Sequence, residues 1–194
     1  MKKYLSLFLL IFSVSFAQAA AKSDVISIKP VVTVFDSIPQ LPDGTKLYLG
    51  TFSDTTPSRE SGSIGTTRTG IKKTAPIIVK PSLAETFRVS FQTLLEKRGN
   101  LSTDASMATY VVDITIIHCT LTEHSSGVSQ TLTADMKVEV TIAHPLEADK
   151  ARTFTVESQN STRSLDTSKF AESTLRDTYV SILCEIVKAI SKVQ

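Results

Sequence analysis

The sequence predicts an α+β two-layer sandwich: a largely antiparallel sheet with two helices on one face, in the order strand, loop, helix, three strands, helix. Three observations carry this prediction. Residues 131–144 alternate Leu132, Ala134, Met136, Val138, Val140 and Ile142 with Thr131, Thr133, Asp135, Lys137, Glu139 and Thr141, the period-two pattern of a strand with one buried face. Residues 110–121 form a second such run, separated from the first by the turn-like 123–127. Residues 81–100 and 170–193 instead repeat their apolar side chains at helical spacing.

Taken in order, the chain opens with Lys2 and Lys3, an apolar run over residues 4–16, and Ala17-Gln18-Ala19. That is the pattern of a secretory signal peptide, assigned to residues 1–19; the apolar run is too short to cross a bilayer. Residues 20–45 read as an extended lead-in with one strand at 31–35, interrupted by Pro39 and Pro42. Residues 46–194 then form a single domain. Its first strand is 46–52, and a long loop rich in Ser, Thr and Gly follows over 53–74. In the first helix Phe87, Phe91, Leu94 and Leu95 make the apolar stripe, Pro81 suits the first turn and Gly99 the end. In the strand 110–121 the even positions, including His118, are expected to face the core. A shorter strand at 153–157 and the terminal helix, with Leu175, Tyr179, Ile182, Leu183, Ile186 and Ile190 on one face, complete the domain.

The chain has 21 Lys and Arg against 19 Asp and Glu, so removing Lys2 and Lys3 leaves it formally neutral. Strong attraction to nucleic acid is therefore not expected. Export places Cys119 and Cys184 in an oxidising compartment, where they can pair. Parity argues the other way, because Cys119 is odd-numbered in a strand whose even positions face the helices; a bridge would need a bulge or a sheet covered on both sides.

The run IGTTRTGIKKT, residues 64–74, looks at first like a phosphate-binding loop. Ile71 stands where the lysine is needed, however, and Pro76 and Pro81 delay the helix that would hold the phosphate. The three histidines disperse: His144 is expected about 35 Å from His118 at ~3.3 Å per residue, and no set of zinc ligands converges. There is no Gly-x-Ser-x-Gly elbow, and His118 and Cys119 project to opposite faces of one strand. Asp135 and Glu139 flank Lys137 on a wet face. An enzyme is thus the weaker class, and no cofactor or metal is expected.

LYLGTFSDTTPS (residues 47–58), SIGTTRTG (63–70) and LLEKRGN (94–100) resemble the YajG-like family of bacterial envelope lipoproteins. The resemblance implies that Asp54, Ile64 and Gly65 form the family's loop motif. Two departures stand out. The lipid-attachment cysteine is absent near the cleavage site, and Thr56 and Pro57 replace the arginine usual after the aspartate.

These readings lead to an expectation of a periplasmic, non-enzymatic accessory or structural protein of an outer-membrane-associated assembly, such as a transport or secretion complex, acting by binding envelope proteins. The candidate binding loop comprises Asp54, Arg59, Ile64, Gly65, Arg68, Lys72 and Lys73. The lead-in and an exposed sheet edge are further devices for partner binding. The alternative is an envelope glycan or lipid binder that meets anionic groups with Arg59, Arg68, Lys72 and Lys73.

Overall fold

A computed structural model describes residues 25–57, 62–68, 74–126 and 129–193, without the side chains of 148 and 149. The signal segment 1–19, Arg59, Lys72 and Lys73 lie outside the described residues. The elements are β1 (Ile26–Ile28), β2 (Leu47–Asp54), β3 (Ser63–Arg68), β4 (Thr74–Val79), α1 (Leu83–Lys97), β5 (Tyr110–Ser126), β6 (Ser129–His144), β7 (Glu147–Ser164) and α2 (Ala171–Ser191).

The α+β sandwich of the sequence reading stands, and its sheet is mixed. Seven strands run in the order β1-β4-β3-β5-β6-β7, with β2 also paired to β5. The β5-β6-β7 meander and the β3-β4 pair are antiparallel. β1 joins β4 in parallel, and β2 and β3 both join β5 in parallel. Both helices lie on one face, where the Tyr179 ring of α2 meets Phe87 of α1 edge-on at 5.0 Å between centroids. Leu132, Ala134, Met136, Val138, Val140 and Ile142 of β6 are all buried beneath them, as their alternation requires.

The helices follow their sequence signals. Ser82 caps α1, its Oγ accepting the Glu85 N–H at 3.1 Å, so Pro81 stands just before the cap. Gly99, at φ +66°, takes the left-handed position that ends the helix. Among the described residues no helix is long and apolar enough to cross a membrane.

Four details differ from expectation, each for a physical reason. First, the 53–74 loop is not one loop, because it contains β3 and leads into β4. β3 reads as a loop since only Ile64 of its six residues is a large apolar side chain. Second, β7 extends to Ser164, well beyond the apolar Phe154 and Val156. Its continuation is held to α2 by polar contacts: Thr174 Oγ1 donates to Thr162 Oγ1 at 2.8 Å, and Asn160 Nδ2 donates to Ser181 Oγ at 3.2 Å.

Third, β5 changes parity. Ile116 pairs with Val138 but His118 pairs with Lys137, so Ile117 is an extra residue in a bulge. Beyond it the odd positions Cys119 and Leu121 turn inward and are buried, while His118 moves to the open face beside Thr120. Fourth, residues 31–35 form no strand. They belong to an irregular segment whose Val32, Phe35, Ile38 and Leu41 are buried in the same core as the sheet.

This lead-in touches both helices. The Val32 N–H donates to the buried Ser90 Oγ of α1 at 2.9 Å, and the Lys29 N–H donates to Glu172 Oε2 of α2 at 3.1 Å. Arg98, just past α1, donates through Nη2 to the carbonyls of Phe35 and Ile38 at 2.9 and 2.6 Å, and through Nη1 to that of Pro39. Much of the surface expected to be free for a partner is therefore committed to the chain's own helices.

Candidate functional site

The sequence candidates that are described fall at a fork in the sheet. β6 flanks β5 on one side. On the other, β2 runs beside β5 until Asp54 meets Ile116, and β3 takes over where Gly65 meets Leu121. Gly65 is required at this crossing, since a Cβ there would sit 1.9 Å from the Leu121 carbonyl oxygen. β2 reaches the fork through a bulge of its own at Gly50 and Thr51, where Asp113 Oδ1 accepts the Thr51 N–H at 2.6 Å.

Between the diverging strands opens a cleft of about 270 Å³. Pro57, Ile64, Ile78, Val79, Pro81 and Leu83 supply its apolar lining, and Asp54, Thr56, Ser63 and Ser82 its polar groups. Asp54 ends β2 in a tight turn in which its Oδ1 accepts the Thr56 N–H at 2.9 Å. Thr55 anchors the same turn, its N–H donating to the Ile116 carbonyl at 2.8 Å. Thr56 Oγ1 is buried without a hydrogen-bond partner among the described residues. Asp54 and Ile64 thus come together as the loop motif implied, with Gly65 fixing the strand behind them.

Arg68 sits elsewhere, in a second recess of about 290 Å³ with Thr67, Thr74, Leu121 and Glu123. Glu123 was expected in a turn, yet its side chain is only 8% exposed and joins β5, β3 and the turn before α2. Its Oε2 accepts from Thr67 Oγ1 at 2.7 Å, from the Arg68 N–H at 2.8 Å and from Thr167 Oγ1 at 3.0 Å. Burial pushes this carboxyl up, but the hydrogen bonds from Thr67, Arg68 and Thr167, with the Arg68 charge, outweigh it and hold Glu123 below its ordinary value. Arg68 Nε lies 3.7 Å from Glu123 Oε1, so its charge is partly neutralised while its side chain stays 51% exposed.

In the cleft both serine oxygens are already engaged. The Ser63 hydroxyl donates to the Gly65 carbonyl at 2.6 Å, and the Ser82 oxygen is taken by the helix cap. His118 pairs across the sheet with Lys137, His124 with Thr131 and His144 with Glu147. Among the described residues no group of three or more His, Cys, Asp or Glu could hold a metal ion. Both cysteines are free. Burial pushes the Cys119 thiol well up, away from the reactive thiolate. Burial also raises Cys184, against the opposing pull of Lys188; its Sγ–H donates to the Ser37 carbonyl at 3.4 Å.

Sequence reasoning missed the α1 side of the cleft and the role of Glu123. Ser82 and Glu85 have the spacing of a capping box, which would have placed the helix start beside the loop motif. Nothing in the pattern of residues 123–127 distinguishes a strand end from a turn.

No family model matches the sequence, and no curated protein does. Solved structures do match. A protein from Xanthomonas campestris, described under the family model DUF330, superposes with a TM-score of 0.54 at 16% identity over 88% of this chain and 97% of its own. The likeness is one of fold. A minor lipoprotein from Acinetobacter baumannii is similar at 14% identity and TM-score 0.41, over 77% of this chain and 94% of its own. A putative neuraminyllactose-binding hemagglutinin homolog from Helicobacter pylori is similar at 12% identity and TM-score 0.42, over 84% and 91%.

Proposed function

We propose that the chain is an exported, non-enzymatic accessory protein of the bacterial cell envelope that holds another envelope protein at the cleft between Asp54 and Ile64. The observation that carries this reading is the make-up of the cleft. An exposed carboxylate stands beside an apolar lining, and the two serine hydroxyls nearest it are already engaged by backbone. Such a site suits an apolar side chain flanked by a hydrogen-bond donor or cation. The leader-like residues 1–19 supply the export route, and the YajG-like motifs coincide with the residues that build the fork. Association with the outer membrane, or with a transport or secretion complex, follows from that resemblance alone.

The glycan or lipid alternative is less well supported. Of its four cations Arg68 is the one described, and Glu123 shares its charge. Binding of that kind would weaken sharply as salt rises, whereas a largely apolar protein contact would not.

A photo-crosslinking amino acid in place of Thr56, introduced into the full chain in intact cells, tests the proposal. The expected result is a discrete adduct with an envelope protein, lost when Asp54→Ala or Ile64→Ser is added. Recovery of uncrosslinked protein with its leader still attached in the cytoplasm would overturn the reading, as would adducts indifferent to both substitutions.

A further inference from the structure

Among the described residues β7 ends the sheet, with a strand neighbour on one side only. Its two halves differ. The N-terminal half is irregular, the register slipping between Glu147 and Arg152, and it carries Lys150 and Arg152. Bulges and cations of this sort keep an edge from pairing with other strands. The C-terminal half, residues 156–164, pairs one-to-one with β6 from Val138 to Gln130 and contains no lysine and no proline. It is the unprotected part of the edge.

Only two charges lie in this regular half, Glu157 and Arg163, both exposed on the face away from the helices. They are opposite in sign and six residues apart. An antiparallel copy of the same strand, related by a two-fold axis at Asn160, therefore sets each Glu157 opposite the Arg163 of the other copy. The same register faces Ser158 with Thr162 and Gln159 with Ser161, so hydroxyls and amides meet one another. Moving the axis to Glu157 would set that carboxylate against itself, and moving it to Arg152 would do the same for the guanidinium.

We propose that the protein forms a two-fold dimer by pairing residues 156–164 of β7 with the same residues of a second copy, making one continuous sheet across both subunits. A two-fold contact of this kind uses the β7 edge of each copy once and closes that edge to further addition. The occupant is a second copy because the edge is complementary to itself in charge. Glu157 already contacts Lys137 on β6, so the interface charge would form a three-membered chain from Lys137 through Glu157 to Arg163 of the second copy.

Sedimentation of the full mature chain over a concentration series, at low salt, reads the association directly. Glu157→Arg alone and Arg163→Glu alone should each weaken the dimer by about tenfold, through loss of two facing ion pairs, and the double reversal should restore it. A second arm does not depend on those charges. The variant Gln159→Cys/Ser161→Cys, in a Cys184→Ala background, should give a disulfide-linked dimer on mild oxidation, because positions 159 and 161 face each other across the axis. A chain that stays monomeric throughout, a dimer unaffected by either reversal, or a folded double-cysteine variant that does not cross-link would each overturn the proposal. Loss of the envelope adduct at Thr56 would leave this result untouched, so the two readings fail separately.

Discussion

Glu123 places its carboxylate in a seam where two threonine hydroxyls and a backbone N–H point at it. A charged acceptor satisfied in this way makes bonds stronger than neutral ones, and it is the ionised form that makes them. Its carboxyl is held below the ordinary value, so the stabilisation is present above the unfolded-state value of about 4.3 and is lost as pH falls through the lower, folded value. Glu123→Gln should therefore cost about 1–3 kcal/mol at pH 7. The gap should narrow as pH falls below the unfolded-state value and close once pH has passed the lower, folded value, because the wild type has then lost what the variant never had. Urea midpoints measured from pH 7 down to pH 3 check this; parallel curves would count against it. The residue was invisible beforehand because its role depends on partners 56 and 44 positions away in sequence.

At the scale of elements, legibility tracked the apolar pattern. α1, α2 and β6 were readable because a buried face repeats along their whole length. β5 was readable only as far as Ile116, since a single bulged residue reverses which face every later side chain takes. The second half of β7 was not readable, its inward positions being Ser158, Asn160, Thr162 and Ser164, of which Asn160 and Thr162 meet α2 through amide and hydroxyl contacts. Asp54 and Ile64 were found, but the α1 end of their cleft was not. Residues 31–35 were misread as a strand because β-branched residues suit both a strand and a buried irregular segment. That segment is held by Arg98, whose guanidinium takes three carbonyls that Pro39 and its neighbours leave without strand partners. Lys97 adds a contact over the Phe35 ring at 5.3 Å. Arg98→Ala should cost about 2–4 kcal/mol by leaving the Ile38 and Pro39 carbonyls unmet, while that of Phe35 keeps the Ile38 N–H. It should also speed amide exchange over residues 32–38 more than in β6. Uniform acceleration across the molecule would mean that Arg98 does not act locally.

For the molecule as a whole, this attachment decides what counts as the folding unit. Ile28, Val32, Phe35, Ile38 and Leu41 come from the first part of the described chain, yet they are buried in one cluster with Leu47, Phe91 and Leu183. Burying five such side chains is worth on the order of 10 kcal/mol at about 1.5–3 kcal/mol each, comparable with the entire stability of a domain this size. A chain beginning at residue 46 also loses the Val32 N–H bond to Ser90 Oγ and the pairing of β1 with β4, leaving the longer β4 as the sheet edge in place of the three-residue β1. It should not fold, giving neither a cooperative melt nor dispersed amide resonances. A chain beginning at residue 25 should unfold in a single transition, with the amide resonances of Tyr179 and Val32 reporting the same midpoint. Two separate midpoints would show the lead-in to be an appendage, and folding from residue 46 would show its apolar side chains to be dispensable. The single-transition outcome follows from geometry, because the segment touches both helices at once and cannot leave one without exposing the other.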